Sequence, residues 1–377
     1  MTEYLKIGFD AKRAFRNFTG LGNYSRAVVS LLSEFYPDNS YFLYTTFYKK
    51  HPLLAFSKRP NITVRGPEGF LKRFPPLWRS YGVVSDIRFD KIDLFHGLTG
   101  ELPLSLSPNV KTVVTVHDLI FLRYPEYYKP IDRWFYTKKC QAACKRADLI
   151  IAISEQTKQD IVHFFGTDEK KIRLVYQGCD AQFYNKCTMV EKRNIKRLYK
   201  LPDNYVLSVG TIESRKNMLT LIKAFEHLPK NIHLVVVGRT TEYAKQVKEE
   251  VEKLGLTEQI HFLHRVAFSH LPAIYQQANI LCMPSIFEGF GIPILEALNS
   301  SVPVVASNIS SLPEVGGPDS IYVDPLDDRA MAEAIHRVAT DSALRERMIN
   351  KGLEYALNFR EENIANNLWN IYEEVMS

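Results

Sequence analysis

Two glutamates, Glu288 and Glu296, stand eight positions apart in the stretch Ser285 to Ala297, which reads SIFEGFGIPILEA. The apolar run Ile280 to Met283 reads as a buried strand leading into it. Glu288 sits beside Gly289, Phe290 and Gly291, and Pro293 fits the first turn of a helix, where its missing N–H costs nothing. A glycine loop entering a helix offers backbone N–H groups and a positive dipole end, so the loop around Phe290, Gly291 and Ile292 suits a phosphate. Glu296 is placed in the first turn of that helix, where the dipole stabilises a carboxylate that can accept hydrogen bonds from a diol.

Other segments carry groups of matching chemistry. VGTIESRKN, Val209 to Asn217, closes a strand with adjacent cations. Arg215 can make a forked contact and Lys216 a point-charge contact to a diphosphate. FTGLGNYSR, Phe18 to Arg26, follows the first strand, and its Gly20 and Gly22 allow a tight turn and close backbone approach to a ligand. TVHDL, Thr115 to Leu119, puts His117 at a strand end, with Asp118 to orient it or cap the next turn. His264, Arg265 and Val266 follow another strand, and Gly238 closes its neighbour. No Asp-x-Asp is present for a divalent metal.

These segments need a scaffold that delivers them together. Apolar runs alternate with helical patterns throughout. Leu5–Phe9, Leu94–Phe95, Thr112–Val116, Leu149–Ile153 and Ile172–Val175 read as buried strands, with helices near Tyr24–Phe35, Ile131–Arg146 and Glu155–Phe165. After a polar stretch from Gly178 to Lys200 the pattern restarts with Tyr205–Val209, Leu234–Val237, Gln259–Leu263, Ile280–Met283, Val302–Ala306 and Ile321–Val323. Such alternation implies parallel sheets in two doubly wound α/β domains. Every segment named above falls at a strand's carboxyl end, where ligands of such sheets bind. The boundaries are set at 1–180, a linker 181–200, 201–360, and a closing helix 361–377.

Composition bounds the reading. The chain has 377 residues, too many for one ordinary core, with 24% charged residues and a formal charge of +6. Five scattered cysteines argue against a disulfide framework and for a reducing compartment. Cys140 and Cys144 share a helix face as packing residues. The start has no signal pattern and no run reaches membrane-spanning length, so a cytoplasmic location is expected. Residues 47–79 interleave Tyr48, Lys49, Lys50, Lys58, Arg59, Phe70, Lys72, Arg73, Phe74, Trp78 and Arg79. This is either a patch for peripheral membrane contact and lipid-linked anionic acceptors, or a solvated face with core aromatics. Nucleic acid is a poorer partner, since no recognition motif accompanies the charge.

The E-x7-E pair, the R-K-N segment, V-H-D and the G-x-G loop occur in the order found in retaining glycosyltransferases of family 4, which this chain resembles over nearly its whole length. The resemblance implies the GT-B fold: two Rossmann-like domains facing a cleft, with the final helix crossing back to the first. It implies a nucleotide sugar donor, a glycan or lipid-linked acceptor and no cofactor. By the same resemblance Glu288 and His117 lie at the donor sugar, Glu296 holds the ribose, and Lys216 holds the diphosphate. Gly22 covers the donor phosphates, and the backbone around Val266, with Gly238, holds the base. Many members carry Arg where this chain has Thr211, and Gly where it has His264. The run HDLIFLRYPE, His117 to Glu126, is similar to bacterial mannosyltransferases of surface polysaccharide assembly, which points to GDP-mannose. Alternatives are a GT-B sugar-nucleotide epimerase and a catalytically silent nucleotide-sugar-binding partner. A two-carboxylate glycosidase leaves the phosphate-binding features unexplained.

Overall fold

The computed structural model describes residues 4–17, 19–47 and 52–377. Phe18, Tyr48, Lys49 and Lys50 lie outside the described residues. The chain divides into two compact units, Met1–Gln177 with Arg360–Ser377, and Gly178–Phe359. Both are parallel-sheet Rossmann-like domains.

In the first unit the strands are β1 (Lys6–Asp10), β2 (Ser40–Tyr44), β3 (Ile62–Arg65), β4 (Leu94–Gly97), β5 (Lys111–Val116), β6 (Leu149–Ala152) and β7 (Ile172–Leu174), in spatial order β3-β2-β1-β4-β5-β6-β7. All pairs are parallel, and β4 and β6 are buried along their whole length, as strands covered by helices on both faces must be. Sequence patterning finds five of these strands. It misses β2 and β3 on the outer side, where SYFLY and ITVR are short, only half-buried in part and flanked by the basic stretch.

In the second unit β8 (Tyr205–Val209), β9 (His233–Val237), β10 (Ile260–Leu263), β11 (Ile280–Met283), β12 (Val304–Ser307) and β13 (Ile321–Val323) take the order β10-β9-β8-β11-β12-β13. All six coincide with the expected runs within two residues. In each sheet the order reverses between the first strand and the fourth, at β1/β4 and at β8/β11. That reversal opens a crevice at the carboxyl ends.

One segment, expected as a linker, differs from expectation. Residues 181–200 belong to the second unit. Phe183 is fully buried with its ring 5.4 Å from Tyr275, and Thr188 and Glu191 form a reciprocal cap that starts the helix Met189–Tyr199. The last helix, Glu361–Met376, belongs to the first unit. Ile364, Leu368, Ile371 and Val375 recur at helical spacing and are buried, while Trp369 stacks on Tyr36 at 4.4 Å. All five cysteines are free thiols. No helix among the described residues is long and apolar enough to cross a membrane.

The basic-aromatic stretch splits. Phe70 and Phe74 are exposed, as are Lys72 and Arg73. Trp78 is buried and donates to Asp86 at 2.8 Å, and Arg79 is ion-paired with Asp10 and Glu101. Arg79 therefore does not belong to a surface patch.

Candidate active site

At the reversal of the second sheet, the segments leaving β8 and β11 meet. After Val209 the chain turns through Gly210, makes a short helical turn at Ser214–Lys216, and enters a helix at Asn217. Asn217 has φ 54°, a left-handed conformation that Asn tolerates and bulkier residues resist. Its side chain donates to the carbonyls of Pro284 (3.0 Å) and Pro325 (2.6 Å), tying this turn to the loop after β11. The backbone of Ile286 also donates to the carbonyl of Arg215 at 2.9 Å. Asn217 is thus required by backbone geometry, which explains its place after the cationic pair.

This stitching delivers both cations to Glu288. Lys216 Nζ lies 2.5 Å from one carboxylate oxygen, and Arg215 Nη1 lies 2.8 Å from the other. Arg215 also donates to the Phe287 carbonyl at 2.7 Å and to Glu213 at 2.6 Å. Ser310 accepts from the Glu288 N–H, and Ser311 donates to the carbonyls of Glu288 and Phe290. Burial alone pushes the Glu288 carboxyl up, but Lys216 and Arg215 outweigh it and hold it at about 2. Burial acts on Arg215 in the opposite sense, and Glu288 with Glu213 raise it above its ordinary value. Glu213 and the two serines are participants that sequence reasoning missed. Glu213 sits two residues before Arg215, and that proximity was the available signal.

Glu296 lies elsewhere in its chemistry. The helix runs Ile292–Asn299, so Glu296 is its fifth residue and no acid occupies the first turn. The expected dipole stabilisation is not what sets its state. Burial pushes the carboxyl up to about 7, only partly opposed by Tyr275, whose hydroxyl donates to it at 2.6 Å. Tyr275 closes the helix Leu271–Tyr275, 21 residues back, and no local pattern announces it.

The remaining second-unit residues act through backbone. Phe290 is buried with its ring 6.0 Å from Phe359, so its side chain packs rather than projects. Gly291 has φ 125° at the helix start, a value that requires glycine, and Ile292 is the first helical residue. A Cβ on Gly238 would lie 1.7 Å from the Gly210 carbonyl oxygen, so this glycine lets two strand ends meet. Its own carbonyl accepts from His264 Nδ1 at 3.2 Å. Val266 is half-buried in an otherwise exposed loop, after Arg265 at φ 67°. Among the described residues no group of three His, Cys, Asp or Glu converges to hold a metal.

His117 and Gly22 belong to the first unit. Gly20 and Gly22 lie within the first turn of the helix Gly20–Phe35, and not in an open loop. A Cβ on Gly22 would sit 1.6 Å from the Asn17 carbonyl oxygen, so the close approach it permits is to the chain's own backbone. Two residues on, the Tyr24 ring meets His117 edge-on at 4.5 Å. His117 Nε2 donates to the Leu98 carbonyl at 3.0 Å, which leaves Nδ1 as an acceptor. Burial lowers its pKa to about 4, so the ring is neutral. Asp118 accepts from the Ile120 N–H at 3.2 Å, capping the next turn.

The profile of glycosyl transferases group 1 matches residues 190–355, and that of glycosyltransferase family 4 matches residues 29–183. An O-antigen chain mannosyltransferase B of Escherichia coli is 29% identical over 98% of this chain and 100% of its own. The O-antigen chain mannosyltransferase RfbU of Salmonella typhimurium is 31% identical over 60% of each chain. Among solved structures, the Anabaena protein HepE in complex with UDP and glucose superposes with a TM-score of 0.77 at 18% identity, covering 98% of this chain and 100% of its own.

Proposed function

The chain belongs to glycosyltransferase family 4, and on that premise we propose that it transfers mannose from GDP-mannose, with retention, to a glycan or lipid-linked acceptor in surface polysaccharide assembly, without a divalent metal. The observation that carries this reading is the meeting of Lys216 and Arg215 on Glu288 at the reversal of the second sheet. Transfer breaks the bond from the anomeric carbon to the diphosphate. Negative charge grows on the departing oxygen and positive charge on the carbon. Lys216 and Arg215, with the start of the helix at Ile292, offer fixed positive charge for the first. Glu288, held ionised, opposes the second. An arriving diphosphate competes with Glu288 for the two cations.

Glu296 accepts the ribose hydroxyls once ionised, and His117 offers Nδ1 to a sugar hydroxyl. The names of the two relatives support mannose. The ligands of HepE support a nucleotide diphosphate sugar as the donor class. A panel of nucleotide sugars, followed by NMR of the anomeric proton in the first product, tests the reading. GDP-mannose is expected to turn over fastest, to yield the α-anomer first, and to do so in EDTA. No turnover of any nucleotide sugar overturns the reading. Loss in EDTA with rescue by magnesium or manganese overturns its metal-free part.

A further inference from the structure

The first sheet has its own reversal, between β1 and β4, and a cavity of about 560 Å³ opens there. Asp10 ends β1, and Lys12 and Arg16 come from the short helix after it. Glu101 follows β4, Lys139 and Arg146 come from the helix Pro130–Arg146, and Arg79 completes the charged lining. Five cations thus face two carboxylates.

The contacts sort these cations. Arg79 holds both acids, Asp10 through Nε and Nη2, and Glu101 through Nη1 at 2.7 Å. Lys139 lies 3.6 Å from Glu101. Arg146 donates to the carbonyls of Pro103 and Leu102. Among the described residues no carboxylate pairs with Lys12 or Arg16. The Arg16 guanidinium carbon lies 5.0 Å over the Phe47 ring. Burial, then the charge of Arg79, lowers the pKa of Lys12 despite the nearby acids. The site therefore holds more positive charge than it neutralises.

We propose that this cavity is an anion site for the phosphoryl group of a phosphate ester, the acceptor, with Lys12 and Arg16 as its principal ligands. The word acceptor rests on the reading above, whereas the anion site rests on the first unit alone. A guanidinium fork and an ammonium suit a phosphoryl group, and the half-burial of Lys12 strengthens its contact. Trp78, Phe95 and Leu102 also line the cavity and offer apolar surface to the organic part of the ester. The site is also joined to His117. Leu98, whose carbonyl holds the His117 ring, and Glu101 lie three residues apart in the segment after β4, which the Gly100 N–H ties to the Thr115 carbonyl of β5 at 2.8 Å.

Calorimetry on the full chain tests this, in a Lys216→Ala background that weakens the second unit's phosphate site. The probes are inorganic pyrophosphate, geranyl diphosphate and mannose 6-phosphate. At least one is expected to bind, and Lys12→Gln with Arg16→Gln to weaken it at least tenfold. Tighter geranyl diphosphate than pyrophosphate identifies a lipid ester, and tighter mannose 6-phosphate a sugar phosphate; either supports the site. Lys12→Arg with Arg16→Lys keeps the charge and is expected to retain affinity. Binding by none of the probes overturns the proposal. So does an affinity untouched by the Gln pair, or lost equally in the charge-preserving pair. GDP and UDP titrated into the wild-type chain test the earlier reading separately, since Lys12 and Arg16 are not part of that site.

Discussion

Glu288 and Glu296 are 8% and 7% exposed, yet they titrate on opposite sides of an ordinary carboxyl, at about 2 and about 7. Burial penalises the charged form of both. Glu288 has two cations within 2.8 Å, and Glu296 has one hydroxyl. The difference lies in what each loop brings to the carboxylate. Their linkage to folding is opposite as well. The Glu288 contribution, roughly 3 kcal/mol, is present above pH 4.5 and lost as pH falls through 2. Glu296 favours the fold below pH 4.5, and that advantage of roughly 3 kcal/mol is lost as pH rises through 7. One site holds a permanent charge, whereas the other holds a proton it can release when a ligand supplies donors.

The harshest test of this contrast removes the permanent charge. Glu288→Gln keeps the shape but leaves Lys216 and Arg215 facing a neutral amide. Turnover at saturating donor is expected to fall about 10²- to 10³-fold, the scale seen when one preorganised charge-stabilising group is lost. Affinity for GDP should stay level or rise, because a competitor for the cations has gone. Calorimetry beside steady-state kinetics checks both. Lost nucleotide binding with intact turnover would reverse the assignment.

Removing a cation should act on the same cluster from the other side. Lys216→Ala deletes one charge-assisted contact to the diphosphate and should weaken GDP and UDP by about 10- to 100-fold, or 1.5–3 kcal/mol. Unchanged affinity in a variant that still melts cooperatively would show that Lys216 serves Glu288 alone.

The contrast marks the limit of what the sequence could disclose. Runs such as LIIA and ILCM are readable as central strands because a strand covered on both faces must be apolar throughout. The motif segments then fall at strand ends automatically. The pairing of Lys216 with Glu288 spans 72 residues and depends on Asn217 bridging two loops, which no local pattern encodes. Pro293 marks a helix start and so points Glu296 toward the helix dipole, but burial and Tyr275 govern it. Gly22 was legible as a close approach, though not as one to Asn17. Strands β2 and β3 were hidden by their partial burial beside a basic stretch.

A gentler test uses pH on the releasable proton. If the ribose hydroxyls donate to an ionised Glu296, donor binding must expel its proton. The intact nucleotide sugar is the right probe, because its diphosphate diester does not titrate near neutrality. With a free value of about 7, affinity should be about tenfold stronger at pH 8 than at pH 6, with proton release at the lower pH. Glu296→Gln should flatten this profile and raise the melting temperature at pH 8 but not at pH 5. A flat wild-type profile would remove Glu296 from the nucleotide site.

The smallest expected effect separates two roles for Tyr275. Its hydroxyl donates to Glu296 at 2.6 Å, which favours the ionised form that the ligand needs. Tyr275→Phe leaves the ring packed on Phe183 and removes only that donor. The carboxyl should then hold its proton to higher pH. A hydrogen bond worth about 1 kcal/mol predicts donor binding about threefold weaker at pH 7. If Tyr275 acts only through the protonation of Glu296, the deficit must shrink as pH rises, and at pH 9 the variant and parent should bind nearly alike. If Tyr275 instead touches the nucleotide itself, the deficit stays constant with pH. A constant deficit would end the account of Glu296 as a carboxylate tuned by its tyrosine.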